Sequence, residues 1–259
     1  MSNRVSAVRA AERATGSVVV LKFGSSVLES PWRFTDAARE IGKEVSRGRR
    51  VVAVVSAAPG ATDSLLTSVA SLSRRPPPEL VSRVVATGEA ASVALMGVAL
   101  SEEGLEAHLL DGSGLGIRTS GPTLDADPSH VDVERLLGLL STRPVVVVPG
   151  FVGQDEQGEL SLLGRGGSDL TALFLAHQLG AEECRLVKDV DGVFPSDPRI
   201  AGPPAEAFRY ASWDVVLEVA GELVQDKAVC FARDRALSFR VTSLGGTGTV
   251  VGAIAEVRA

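Results

Sequence analysis

The stretch that decides the fold covers residues 160–193 and reads LSLLGRGGSDLTALFLAHQLGAEECRLVKDVDGV. Its first apolar run, Ser161–Leu163, predicts a short strand, and the glycine-rich turn Gly164–Gly167 follows. The apolar period of residues Ser168–Leu179 then predicts a helix, which the next glycine ends. A second strand is predicted at Arg185–Lys188. The stretch therefore reads as strand, loop, helix and strand.

The same alternation continues on both sides of this stretch. Further strands are predicted at Val18–Lys22, Val51–Ser56, Leu105–Leu110, Pro144–Pro149, Phe239–Thr242 and Thr249–Val251. Further helices are predicted at Phe34–Arg47, Thr62–Leu72, Leu80–Leu100, Ser212–Val219 and Leu223–Arg235. Alternating strands and helices predict an α/β fold, a largely parallel sheet with helices on both faces. Ligands then bind at the carboxyl ends of the strands.

Composition limits the class of partner. The chain has 259 residues, 45% of them hydrophobic, and a formal net charge of −6 without a dense basic block, which favours a small-molecule partner over nucleic acid or a membrane surface. One domain is expected over residues 17–259 after a flexible tail, residues 1–16, whose arginines could alternatively form an amphipathic targeting helix. Cys184 and Cys230 are expected to be buried reduced thiols, and the sequence shows no signal peptide or evident membrane span. These features predict a cytoplasmic location.

The first loop with chemical potential is Lys22-Phe23-Gly24-Ser25-Ser26, where a lysine at a strand end precedes a flexible turn. Bare backbone N–H groups in such a turn can cradle phosphate oxygens, although a surface lysine before an ordinary turn fits these residues equally well.

The second loop, Gly164 to Asp169, opens a helix. Its three glycines allow a ligand to approach the backbone, the helix N-terminus favours an anion, and Arg165 offers a fork for a carboxylate. Asp169 can orient a reacting group or a lysine. A simple helix cap requires fewer glycines, so a functional loop is favoured.

The third loop runs from Lys188 to Phe194 and is followed by Asp197-Pro198-Arg199. The paired carboxylates Asp189 and Asp191 could hold ribose, an adenine edge or a magnesium shell, although Asp-x-Asp-Gly is more often a turn. The run Gly112–Gly116 has the wrong spacing for a dinucleotide fingerprint and is interpreted as a mobile loop.

Together, these loops resemble aspartate kinase, within the amino-acid kinase superfamily. The matching motifs, in chain order, are Val55-Ser56-Ala57 with Thr62-Asp63, Thr87-Gly88-Glu89, Gly150-Phe151 with Gly153, Gly164-Arg165-Gly166-Gly167-Ser168-Asp169, Asp189-Val190-Asp191-Gly192-Val193-Phe194 and Asp197-Pro198-Arg199. The resemblance spans roughly residues 18–251 and implies a three-layer αβα sandwich with about eight strands in a largely parallel central sheet. It also implies phosphoryl transfer from ATP, with Mg²⁺, to a side-chain carboxylate.

The resemblance also implies roles for individual residues. Lys22 and Asp169 would be catalytic. The acceptor amino acid would be bound by Ser56, Thr62, Glu89, Arg165, Gly166 and Ser168. The nucleotide would be bound by Gly24, Ser25, Lys188, Asp189, Phe194 and Arg199. No residue is assigned to a resident metal. The family implies a homo-oligomer, expected to be a dimer, and regulation by a separate subunit is left open.

Two departures concern the chemistry. The family's first loop reads Lys-Phe-Gly-Gly-Thr-Ser, whereas the loop here is one residue shorter and closer to that of glutamate 5-kinase. A family lysine that reaches the nucleotide phosphates is replaced by Glu222, while Lys188 stands where the family commonly has threonine. Either Glu222 points away from the phosphates, or Lys188 supplies the missing charge, or the enzyme is slow; the hypothesis is that Lys188 compensates. The alternatives are another acceptor, such as glutamate, or a catalytically weak homologue that binds nucleotide as a regulatory module.

A third departure concerns regulation. The family usually continues into paired ACT regulatory domains, whereas this chain ends at Ala259. Feedback by lysine or threonine within the chain is therefore expected to be absent.

Overall fold

The structure, a computed structural model, describes residues 16–196, 206–221 and 223–253. Its strands are β1 Val18–Phe23, β2 Arg50–Val55, β3 Ala107–Leu109, β4 Arg118–Ser120, β5 Asp127–His130, β6 Val145–Pro149, β7 Val152–Gln154, β8 Leu160–Leu162, β9 Glu183–Val187, β10 Tyr210–Ala211, β11 Phe239–Thr242 and β12 Thr249–Val251. Its helices are α1 Pro31–Ser46, α2 Ala61–Leu72, α3 Pro78–Glu102, α4 Gly112–Leu115, α5 Val133–Thr142, α6 Gly167–Leu179, α7 Trp213–Val219 and α8 Asp226–Asp234.

Eight strands form the main sheet, in the order β10-β12-β11-β9-β1-β2-β6-β3. Between β11 and β3 in this order, every pair of neighbouring strands is parallel. The antiparallel pair of the main sheet is β11 with β12. The prediction of a largely parallel sheet of about eight strands is confirmed. Because β1 lies at the centre with β2 and β9 on its two sides, the loops after these three strands meet at one edge.

Helices cover both faces of this sheet, which confirms the three-layer prediction. Side chains of a strand alternate between faces, and in β1 Val18 and Val20 join one core cluster while Val19 and Leu21 join another. The first cluster contains the apolar faces of α5, α6 and α8, and the second contains those of α1 and α3. The central strands are apolar on both faces because both faces are buried.

A smaller sheet was only partly foreseen from the sequence. Its four strands lie in the order β5-β4-β7-β8, and only β8 corresponds to a predicted strand, Ser161–Leu163. The strands are three or four residues long, and Gly153 and Pro128 lie within them, so no period of two is visible. This sheet carries the entrance to the glycine-rich turn, because β8 ends two residues before Gly164.

Three local predictions are corrected. Residues 112–115 form helix α4 rather than a mobile loop, because the Asp111 side chain accepts a hydrogen bond from the Gly114 N–H at 2.5 Å and Gly116 ends the helix. Cys184 is buried as expected, but Cys230 is only half-buried, because it lies toward the outer side of α8. Helix α8 begins at Asp226, three residues after the predicted start at Leu223.

The long helix α3 is more apolar than a typical surface helix. It is the one helix of the described chain that is long and apolar enough to cross a membrane by those criteria alone, a test that core helices also pass. Val93, Met96 and Leu100 bury one side of it against the main sheet. Gly88 brings it close to the loop after β2, since a Cβ there would lie 3.2 Å from the Ala57 Cβ.

Candidate active site

Two cavities open at the carboxyl ends of β1, β2 and β9 and share a wall. The larger, of about 640 Å³, is lined by Lys22, Gly24, Ser25, Ser26, Lys188, Asp189, Val190, Phe194, Ser196, Val219, Ala220, Gly221 and Leu223. The smaller, of about 360 Å³, is lined on one side by the loop after β2, from Ser56 to Asp63, and on the other by residues 164–169. Lys22, Ser25, Lys188 and Leu223 line both cavities. Two ligands can therefore lie side by side and meet at these residues.

Two lysines and one carboxylate form the junction. The Nζ atom of Lys22, near the end of β1, lies 2.7 Å from Oδ1 of Asp169, and the Nζ atom of Lys188, just after β9, lies 2.8 Å from Oδ2. All three side chains are at least nine-tenths buried. Asp169 lies in the first turn of α6, where a negative charge is favoured. One carboxylate thus holds two ammonium groups side by side.

Burial and charge shift the ionisation of this triad. Burial alone would raise the pKa of Asp169, but the ammonium groups of Lys188 and Lys22 outweigh it and hold that pKa below its usual range. Burial, together with the neighbouring Lys22 ammonium, lowers the pKa of Lys188 to about 8 despite the opposing pull of Asp169. At neutral pH the junction carries a net positive charge, which suits an anionic ligand.

Glu89 lies in the wall of the smaller cavity, on the part of α3 that contacts the loop after β2. The residue is 3% exposed, and its Oε2 atom has no hydrogen-bond partner among the described residues. Burial raises the pKa of Glu89 to about 8, although the Ala57 N–H and the Lys22 ammonium oppose the shift. A buried carboxylate oxygen without a partner is costly, so this atom is suited to a cationic group of a ligand.

The glycine-rich turn presents its backbone to the smaller cavity. Gly166 has φ +75°, and a Cβ there would lie 2.4 Å from the side chain of Gln225, so only glycine fits. Helix α6 begins at the next residue, and two of its first N–H groups are bonded within the turn: Gly167 N–H donates to the Gly164 carbonyl at 2.9 Å and Asp169 N–H to the Gly166 carbonyl at 3.0 Å. Arg165 is exposed between the two glycines and lines the cavity.

The structure brings together all six residues predicted for the acceptor. Ser56, Thr62, Glu89, Arg165, Gly166 and Ser168 all line the smaller cavity. Five of the six residues predicted for the nucleotide line the larger one: Gly24, Ser25, Lys188, Asp189 and Phe194. The sixth, Arg199, lies outside the described residues, as does Glu222.

The two carboxylates of the third loop have different surroundings. Asp189 lines the larger cavity and accepts a hydrogen bond from Ser26 Oγ at 3.1 Å. Asp191 instead faces the loop between β11 and β12, where it accepts hydrogen bonds from Thr242 Oγ1 at 2.9 Å and from the Ser243 N–H at 3.0 Å. For Asp191 the structure therefore favours the turn over the ligand-binding pair, because its oxygens are engaged in fixing that loop.

Sequence reasoning gave no role to Phe151, which lies in the wall of the smaller cavity with φ +69°. A positive φ is unusual for a bulky residue, and here hydrogen bonds on both sides hold it: its N–H donates to Thr171 Oγ1, and its carbonyl accepts from the Leu163 N–H. The Gly150-Phe151 pair was visible as a motif, but no sequence signal reports a backbone angle. Leu223 and Gln225 were missed because they lie on an irregular segment before α8.

Comparison with known proteins agrees with this arrangement. The family model described as the amino acid kinase family matches residues 17–233. The aspartokinase of Bacillus sp. (strain MGA3) is 36% identical over 229 residues, which cover 87% of this chain and 56% of that protein. The aspartokinase of Helicobacter pylori (strain ATCC 700392 / 26695) is 39% identical over 203 residues, covering 78% of this chain and 50% of that protein. The chain thus spans about half the length of these curated relatives.

A solved structure shows the same relationship in three dimensions. The crystal structure of aspartate kinase from Synechocystis superposes with a TM-score of 0.79 at 32% sequence identity. The match covers 94% of this chain and 40% of that one.

Proposed function

The chain belongs to the amino acid kinase family, and from this premise we propose that it transfers the γ-phosphoryl group of ATP to the side-chain carboxylate of L-aspartate. The product is 4-phospho-L-aspartate, an acyl phosphate, and ADP is released. The observation that carries the proposal is the junction of the two cavities at Lys22, Asp169 and Lys188. The similarity to aspartokinases supports the choice of acceptor.

The junction matches what phosphoryl transfer requires. An oxygen of the acceptor carboxylate forms a bond to the γ-phosphorus while the bond from that phosphorus to the bridging oxygen of ADP breaks, and no proton is transferred. The protein's task is to hold the two ligands in line and to balance negative charge on the phosphoryl oxygens. Lys22 and Lys188 supply two positive charges at the shared wall, and Asp169 fixes their positions.

The smaller cavity fits the acceptor's charged groups. In our proposal the α-ammonium group binds Glu89, which satisfies the Oε2 atom, and the α-carboxylate binds the guanidinium of Arg165. Ser56, Thr62, Gly166 and Ser168 supply further hydrogen-bonding groups around the amino acid. The side-chain carboxylate then points toward the two lysines.

The larger cavity fits a nucleotide with its magnesium ion. Ser25 would present its backbone N–H group to the phosphates, and Asp189 and Phe194 would face the nucleoside. Gly24 lines the same cavity, but its N–H donates to the Val187 carbonyl at 3.4 Å, so its expected role as a phosphate donor would require that bond to be exchanged. The described residues contain no group of three metal-binding side chains, so Mg²⁺ would enter as MgATP, held largely by phosphates and water. We assign Arg199 to the nucleotide as well, from its motif alone.

Lys188 would compensate for the glutamate at position 222. Its ammonium group lines both cavities and lies beside that of Lys22, so it is within the region that the transferring phosphoryl would occupy. Losing one charge-assisted contact costs roughly 1.5–3 kcal/mol, so a second lysine here offsets the loss of one elsewhere.

We further propose a single catalytic domain over residues 17–259 that acts in the cytoplasm as a homodimer. The exposed face of α3 supports the dimer: residues 84–101 carry one charge, Glu89, which is buried, while Leu95 and Val98 are 49% and 70% exposed. Arg74 and Arg75 precede this helix, and Glu102 and Glu103 end it. An antiparallel pair of α3 helices would bury the uncharged face and bring opposite charges together.

The test of this function is acceptor-dependent ADP release. The purified chain is incubated with MgATP and L-aspartate, hydroxylamine traps the acyl phosphate, and parallel reactions contain L-glutamate. We expect aspartyl hydroxamate in amounts equal to ADP and little product from glutamate. ADP release with glutamate alone would move the assignment to another acceptor, and bound ATP without turnover on either acid would favour a non-catalytic role.

A further inference from the structure

We propose that Lys227 is a positioning residue for the acceptor: it fixes the glycine-rich turn and thereby aims Arg165 into the smaller cavity. Lys227 lies in the first turn of α8 and lines neither cavity, so it does not touch the ligands itself. The inference rests on the proposed function, which places the acceptor's α-carboxylate at Arg165.

Four oxygen atoms surround the Lys227 ammonium group. It donates hydrogen bonds to Asp125 Oδ1 at 2.8 Å, to the Ala126 carbonyl at 3.0 Å and to the Leu163 carbonyl at 3.1 Å, and it lies 3.2 Å from Asp127 Oδ1. The two carbonyls belong to fully buried residues, whereas the two carboxylates are largely exposed. One side chain thus joins α8, residues 125–127 and the residue directly before Gly164.

The glycine-rich turn is held on both sides by this arrangement. Gly164 has φ +76°, and a Cβ there would lie 2.0 Å from Asp125 Oδ1, so the carboxylate bound by Lys227 packs against this glycine. On the other side, Gly166 packs against Gln225, two residues before Lys227. Arg165, between these glycines, is exposed, and the described residues show it in no ion pair. Its direction therefore depends on the backbone of the turn.

The consequence is a specific kinetic effect. Without the ammonium group, the turn loses its bonds at Leu163 and Asp125, and the backbone from which Arg165 extends into the cavity is no longer fixed. A contact made equally in the ground state and the transition state affects KM and leaves kcat unchanged. Lys22, Asp169 and Lys188 do not contact Lys227, so the nucleotide should be little affected.

The experiment compares Lys227→Met with Lys227→Arg and with Lys43→Met, a control whose ammonium group pairs with Glu40 on α1. We expect Lys227→Met to raise the KM for aspartate about tenfold or more, with kcat and the KM for ATP changed less than about threefold. Lys227→Arg should recover most of the affinity, because its guanidinium can still donate to the carbonyls, and Lys43→Met should resemble the wild type. Thermal melts confirm that each variant is folded.

Hydrogen exchange of the amides of residues 163–168 gives a readout that does not require activity. We expect faster exchange there in Lys227→Met and unchanged exchange in α1. In an active enzyme, a KM for aspartate within about threefold of the wild type overturns the inference, whatever the exchange shows. If the wild-type chain phosphorylates no aspartate, the proposed function is overturned instead. In that case the exchange data decide the positioning role, and unchanged exchange at residues 163–168 in Lys227→Met overturns it.

Discussion

At the scale of single residues, the candidate site is a set of buried ionisable groups that the described residues pair only in part. Asp169 neutralises only one of the two ammonium groups that it holds, and Glu89 has an oxygen without a partner among the described residues. Incomplete pairing costs stability in the free protein, because buried ions lose hydration. The same imbalance favours ligands that bring an anion to the lysines and a cation to Glu89.

Replacing Lys188 by threonine tests whether it supplies the missing charge. We expect Lys188→Thr to lower turnover or ATP affinity about ten- to a hundredfold, since one charge-assisted contact is removed. Because the pKa of Lys188 is about 8, the wild-type kcat at saturating aspartate should also fall as the pH rises through that value, and the variant should lack this fall. Steady-state kinetics between about pH 6.5 and pH 9 measure both the loss caused by the substitution and the fall with pH. Each effect is expected to be at least on the order of tenfold. An unchanged KM for ATP with unchanged kcat would refute the compensation.

Replacing Glu89 by glutamine tests its contact with the acceptor's ammonium group. With a pKa of about 8, the carboxyl group is largely protonated at neutral pH and must ionise to bind a cation. The wild-type affinity for aspartate should therefore improve about tenfold from pH 7 to its plateau, whereas Glu89→Gln should bind weakly at every pH. Calorimetric titration of aspartate at a series of pH values measures this. A pH-dependent affinity that survives in Glu89→Gln would exclude the assignment.

The same substitution has a predicted effect on stability. A carboxyl group whose folded pKa is raised binds its proton more tightly in the folded state, so it costs stability as the pH rises from about 4.5 to about 8. The wild type should therefore lose melting temperature relative to Glu89→Gln as the pH rises across this interval. Thermal melts at a series of pH values measure the difference.

At the scale of elements, close contacts rather than propensities place the site residues. Gly88 lies inside a helix, where glycine is unfavourable by about 1 kcal/mol relative to alanine. A Cβ at this position would lie 3.2 Å from the Ala57 Cβ and 3.3 Å from Leu65 Cδ1. The glycine therefore lets α3 approach α2 and the loop after β2, and Glu89 lines the same cavity as Ser56 and Thr62.

A matched pair of glycines tests this packing. We expect Gly88→Val to lower the free energy of unfolding by about 1–3 kcal/mol and to raise the KM for aspartate, because the added methyl groups push α3 away. Gly138, in α5, has no neighbour within 4 Å of an added Cβ, so Gly138→Val should be nearly neutral. Urea denaturation and aspartate kinetics measure both variants. Equal losses of stability in the two would show that the close contact at Gly88 is not responsible.

The main elements could be predicted because their signals are local. The buried strands β1, β2, β6 and β9 are largely apolar runs, and the glycine-rich turn before α6 marks where that helix begins. The positions of Lys22, Asp169 and Lys188 followed from motifs at strand and helix ends, but their sharing of one carboxylate did not, because it depends on the pairing of β1 with β9. The distances from Lys227 to Asp125 and Leu163 span sequence separations of 102 and 64 residues, which no local pattern reports.

At the scale of the whole molecule, two groups of charges lie at opposite ends of the main sheet. At the amino ends of the strands, the fully buried Glu44 accepts hydrogen bonds from Arg47, Arg49 and Arg185, and this group is well paired. Paired charges of this kind fix the elements to each other. At the carboxyl ends lies the incompletely paired triad of the cavities. The paired charges around Glu44 thus lie at one end of the sheet, and the incompletely paired charges of the candidate site lie at the other.

The exposed face of α3 predicts the assembly of the molecule. We expect the wild-type chain to be a dimer and the double variant Leu95→Glu, Val98→Glu to be a monomer, because four acidic side chains would then meet across the two-fold axis. Leu124→Glu, an exposed leucine outside this helix, serves as the control and should remain dimeric. Analytical ultracentrifugation measures the mass of each. A double variant with wild-type mass would place the interface elsewhere.

The central claim is that Asp169 holds two lysines at the point where phosphoryl transfer takes place. The most direct test is the turnover of Asp169→Asn, measured by hydroxamate formation, together with calorimetric binding of MgATP and aspartate to the same variant. We predict that both ligands still bind and that kcat falls by at least about a hundredfold, because the amide cannot fix the ammonium groups in place. A kcat within about tenfold of the wild type would contradict the account and move the chemistry away from this junction.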